Sequence, residues 1–99
     1  MAKLSYSRQA LTDLERLGNF LSVNEPGVAL HTLKLIDEAI SILCHHPLIG
    51  RLAESDLREL VISQGKTGYL ALYSYQEAYD AVLILAIRHQ REAGFLTGA

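Results

Sequence analysis

The sequence predicts an α+β domain: an N-terminal helical hairpin packed on an antiparallel sheet, in the order β-α-α-β-β-β. Leu11, Leu14, Leu17 and Leu21 recur at helical spacing, and a second apolar stripe follows the Asn24-Glu25-Pro26-Gly27 break. From Leu57 onward the apolar runs are short, rich in β-branched and aromatic residues, and joined by hairpin-length connections. With 99 residues the chain is long enough for one core, so residues 1–99 are read as a single domain.

Each element has a local reason. Residues 2–6 form a short leading strand. Ser5 and Ser7 offer caps for a helix over 8–22, with Asp13, Glu15 and Arg16 on its wet side. Pro26 suits the first position of a second helix. That helix runs to about residue 45 with Ala29, Leu33, Ile36, Ile40 and Leu43 on one face, and Pro47 stops it. Residues 46–56 read as loop. Strands follow over 57–63, 69–75 and 81–88, the last holding seven apolar residues from Ala81 to Ile87.

Composition narrows the function. The net charge of −2 argues against a general nucleic-acid binder, which needs a basic excess to displace counterions. A single cysteine, Cys44, forms no internal disulfide, which fits a reducing compartment; it reads as a small apolar residue on the second helix. No run approaches the length of a membrane span, and the N-terminus lacks the apolar core of a signal peptide. The expected location is therefore the cytoplasm, with no membrane partner.

The richest chemistry stands where the apolar strand gives way to Arg88-His89-Gln90-Arg91-Glu92-Ala93-Gly94-Phe95. A strand end holds charged groups in fixed geometry, because the core already orders its backbone. The plainer reading is a solvated strand end with Glu92 as counter-charge. Other constellations are weaker. His45-His46 has no further ligand at metal spacing and sits where a helix dipole favours cations. His31 reads as a surface residue. Tyr69, Tyr73 and Tyr75 share a strand face, where they either stack bases or pack under the helices. Gly65-Lys66-Thr67-Gly68 lacks the glycine spacing of a phosphate loop and reads as a turn. No metal or cofactor is expected.

The ordered set of helical hairpin, Pro47-Leu48-Ile49-Gly50-Arg51-Leu52, Leu57-Arg58-Glu59-Leu60, Gly68-Tyr69-Leu70-Ala71-Leu72-Tyr73 and the basic strand end resembles the RelE/ParE superfamily of type II toxin–antitoxin toxins. The resemblance covers nearly the whole chain. It implies a growth-inhibiting toxin neutralised by a cognate antitoxin in a hetero-oligomer. An antitoxin helix would suit the groove of the hairpin, and an added strand would suit an open sheet edge.

Superfamily members divide between ribosome-dependent ribonucleases (RelE-like) and poisons of DNA gyrase (ParE-like). Metal-free RNA cleavage needs an acid, a base and cations for the phosphorane. For the nuclease, which would act on ribosome-bound mRNA, the resemblance implies His89 with Arg58, Arg88 and Arg91. Yet Leu60 and Leu70 stand where RelE-like enzymes carry basic residues, and Phe95 lacks a transferable proton. The expectation is therefore a gyrase poison, not an enzyme, meeting its target through Arg88, His89, Arg91 and Phe95. The alternatives are the ribonuclease and a decayed toxin that only binds antitoxin.

Overall fold

The computed structural model describes residues 1–64 and 67–90. Its elements are β1 (Lys3–Tyr6), α1 (Arg8–Asn24), α2 (Ala29–Ser41), a 3-10 turn (Ile42–Cys44), β2 (Arg51–Leu52), β3 (Arg58–Gln64), β4 (Thr67–Gln76), a second 3-10 turn (Glu77–Tyr79) and β5 (Ala81–His89). The five strands form one sheet in the order β1-β5-β4-β3-β2. The hairpin on a sheet is as expected, and the β2–β3, β3–β4 and β4–β5 pairings are antiparallel. β1, however, runs parallel to β5, pairing Lys3 with Ala81 through Tyr6 with Ile84, so the sheet is mixed. The helical crossover between β1 and the remaining strands permits that direction, which a tight hairpin cannot. β2 is an addition within the expected loop, paired through only two residues.

Ser7 is the cap that starts α1. Its Oγ accepts the Ala10 amide at 3.1 Å, and its carbonyl accepts the Leu11 amide. The helix ends where the Glu25 amide bonds the Leu21 carbonyl, one residue before proline denies a further donor. Pro26 lies in the turn and does not open α2, which begins at Ala29 after the uncapped Val28. The expected second helix is one α-helix with a separate 3-10 turn at its end.

The inward face of α1 differs from the leucine stripe. Ala10, Asp13, Leu17 and Leu21 are buried, whereas Leu11 is 55% exposed. Asp13 is therefore not on the wet side: residues 10, 13, 17 and 21 are one helical face by spacing. α2 buries Ile36 and Ile40 as anticipated, with Leu43 closing the core from the 3-10 turn. Against them β3, β4 and β5 bring Ile62, Tyr69, Ala71, Tyr73, Val82, Ile84 and Ile87. The tyrosine face is thus core packing rather than a stacking platform. A register shift at Leu72/Tyr73 leaves Leu85 as the extra residue of a β-bulge opposite β4.

Candidate functional site

The end of β5 is shaped from α1. Because β1 ends at Tyr6, opposite Ile84, residues beyond the bulge have no strand on that side among the described residues. Their backbone donors need another partner. The Ile87 amide donates to Asp13 Oδ2 at 2.9 Å, while Arg88 Nη1 forms an ion pair with Asp13 Oδ1. Gln9 Nε2 donates to the same Oδ1 at 2.9 Å. The two charged side chains are 11% and 2% exposed, so this is a buried pair with its carboxylate well supplied with donors.

Arg88, expected at the target-binding end, has its guanidinium turned to the protein, where it pairs with Asp13. Asp13 itself escaped sequence reasoning because a charged residue among leucines was assigned to solvent. The available signal was its place in the spacing of residues 10, 13, 17 and 21, together with an arginine on an otherwise apolar strand.

His89, half-buried, is paired with Tyr69 across β4 and β5. Its ring stands edge-on to the tyrosine, centroids 5.3 Å apart and planes at 81°. Burial, then the nearby Glu25 carboxylate, push the Tyr69 hydroxyl above its ordinary pKa. Tyr69 therefore stays neutral at physiological pH, an apolar wall with a polar rim.

Arg58 occupies a different corner. Its Nη1 donates to the carbonyls of Gly50 at 2.8 Å and Leu48 at 3.2 Å. Its strand neighbour Tyr73 completes the clasp: the hydroxyl accepts the Gly50 amide at 2.9 Å and donates to the Pro47 carbonyl at 2.7 Å. Burial raises the Tyr73 pKa against the opposing pull of the Gly50 amide and Arg58, so the phenol remains a donor. Gly50 is required for this approach, since a Cβ there would lie 2.6 Å from Tyr73 Oη and 2.8 Å from the Glu59 carbonyl. Arg58 is thus a loop anchor.

Among the described residues, the sheet keeps Arg88 beside His89 and places Arg58 apart from them. Arg58 is level with Tyr73, and His89 is level with Tyr69. Four strand steps and two strand spacings separate them, about 16 Å. Arg91 and Phe95 lie outside the described residues. Leu60 packs against the core and Leu70 is buried, so neither position presents a polar group. Among the described residues no group of His, Cys, Asp and Glu could hold a metal, and no helix is long and apolar enough to cross a membrane. His31, His45 and His46 are exposed, and Cys44 is half-buried, with its carbonyl accepting the Ala2 amide.

Residues 4–94 match the family described as ParE toxin of type II toxin-antitoxin system, parDE. A curated relative, Toxin RelE3 of Caulobacter vibrioides, is 33% identical over 92 residues, covering 93% of this chain and 98% of its own. The fold is also that of the chromosomal ParDE system from P. aeruginosa, with a TM-score of 0.72 and 24% identity over 89% of this chain and 95% of that one. A structure of the E. coli RelBE toxin-antitoxin complex gives a TM-score of 0.66 at 14% identity, over 89% of this chain and 95% of that one. At those identities the two structures speak for the fold alone. On the sequence match and its curated relative, the chain belongs to the ParE toxin family, within the RelE/ParE superfamily of type II toxin–antitoxin toxins.

Proposed function

We propose that the protein arrests growth by poisoning DNA gyrase and that a cognate antitoxin neutralises it in the cytoplasm. One observation carries the choice of target: among the described residues, the two arginines that RNA cleavage would draw on, Arg58 and Arg88, are engaged in holding the fold. Arg88 neutralises Asp13, and Arg58, whose strand position is about 16 Å from that of His89, holds the loop carbonyls. Buried Leu70 and core-packed Leu60 supply no replacement cation. A stabilised phosphorane needs such groups converging on one phosphate, whereas blocking a partner's cycle needs only a shaped surface. On this reading Arg91 and Phe95, which the resemblance assigns to the target, remain candidate contacts.

The helical hairpin supports the antitoxin half of the proposal. A groove of about 320 Å³ is lined by Tyr6, Leu14, Glu15, Leu33, Ile36 and Asp37. An apolar floor with two carboxylates at its rim suits an amphipathic helix carrying a basic residue. Exposed β2 offers a sheet edge for an added strand. Amide exchange with and without antitoxin should show new protection in α1 and α2, or along an edge strand.

Purified toxin freed of antitoxin should inhibit gyrase supercoiling or accumulate cleaved plasmid, and antitoxin should reverse it. The ribonuclease reading draws on His89 beside Tyr69 and on a relative named for RelE. A folded toxin without effect on gyrase that cleaves ribosome-bound mRNA, and loses this with His89→Ala, would replace our proposal. Absence of both activities and of toxicity on induction would leave a chain that only binds antitoxin.

A further inference from the structure

We propose that Asp13 is the positioning residue for the working end of β5, holding His89 in place from the neighbouring helix. The inference rests on the strand end being the target-facing surface, and not on which target it meets. α1 runs beside the open edge of β5 and grips it at two matched points. Near its start, Ser7 donates its amide to the Ile84 carbonyl at 2.8 Å and its hydroxyl to the Leu85 carbonyl at 3.0 Å, fixing the bulge. Asp13 then takes the Ile87 amide and the Arg88 guanidinium.

The spacing of the two grips is commensurate. Ser7 to Asp13 is about 9 Å of helix rise, and Ile84 to Ile87 is about 10 Å of strand. Helix and strand therefore keep one register across both. Asp13 stands in for the strand partner that β1 no longer provides, and it holds the two residues immediately before His89. Loss of its charge leaves a buried guanidinium that must move to find water, and the last residues of β5, His89 among them, would shift against Tyr69 with it.

The test is Asp13→Asn, which keeps a carbonyl for the Ile87 amide and removes the charge facing Arg88. The Tyr69 ring current marks the His89 ring protons in NMR spectra, because the two rings meet edge-on. In the folded variant, well below its melting temperature, these signals should move toward those of a solvated imidazole while Ile36 and Ile40 methyl signals hold. The level of soluble toxin needed to arrest growth should rise about tenfold. Unmoved His89 signals in a folded variant would overturn the proposal and leave Asp13 a purely structural group. Should Asp13→Asn fail to fold, Asp13→Ala with Arg88→Leu buries no charge but removes the acceptor of the Ile87 amide, so His89 signals are expected to move in the same direction; unmoved signals there would overturn the proposal. His89→Ala tests the underlying reading separately: full toxicity there overturns the strand end as working surface, whatever Asp13→Asn does.

Discussion

Two corners of the sheet are fastened with opposite chemistry. At the α1–β5 corner, a carboxylate and a guanidinium are buried together with a backbone amide that lies 74 residues from the carboxylate in sequence. At the corner of β3, β4 and the Pro47–Gly50 loop, a neutral phenol bridges an amide and a carbonyl while Arg58 adds carbonyl contacts. The first corner tolerates the loss of neither partner, because the survivor is a buried charge. The second loses one hydrogen bond at a time. Each corner uses an arginine that the sequence offers for chemistry. The comparison teaches that a cation in a small domain must first be assigned its structural partner before it is given a function.

The sharpest break is at the ionic corner. Asp13→Ala or Arg88→Ala should each cost about 3–5 kcal/mol of unfolding free energy, a large part of the stability of a domain this size. Urea unfolding measures it, and a loss under about 1 kcal/mol would mean the pair is effectively solvated and the two corners are alike. Gly50→Ala comes next, at about 1–3 kcal/mol, because the added methyl displaces the Tyr73 hydroxyl or the Glu59 backbone. Tyr73→Phe should cost about 1–2 kcal/mol by leaving the Gly50 amide unpaired. If it matched Asp13→Ala, the distinction between ionic and neutral fastening would fail.

Alkali sharpens the neutral corner further. Burial holds the Tyr73, Tyr69 and Tyr6 hydroxyls above their ordinary value of 10.0 in the folded protein. The unfolded chain therefore ionises first. Their contribution is intact below about pH 10 and is lost as pH rises through the folded-state values. The urea midpoint should decline across that range, and less steeply in Tyr73→Phe; an unchanged slope would place the lost protons elsewhere. The smallest effect belongs to Arg51→Ala. Its ion pair with Glu59 at 3.0 Å leaves the arginine side chain 63% exposed, so about 0.5 kcal/mol or less is expected by thermal melting.

Much of the fold is visible in the chain because it follows local rules. Ser7 caps α1, proline follows its end, and the apolar run from Ala81 forms the central strand. The site was less legible. Arg88 and His89 are adjacent at a strand end, yet one is turned to the helix and the other to Tyr69. Two-residue alternation separates their faces, and only the packed helix decides which face is wet. Arg58 carries no local mark of its loop contacts, since those carbonyls arrive through the turn at Gly50.

The sequence by itself determined the α+β class, the helical hairpin and the three long strands, because periodicity, caps and turn residues act over a few positions. Tertiary structure alone decided the parallel placement of β1, the pairing of β2, the burial of Asp13 and the fates of Arg58 and Arg88. The physical reason is common to all four. A backbone donor or a charge removed from water must find a partner, and which partner lies within reach depends on elements brought together from distant parts of the chain.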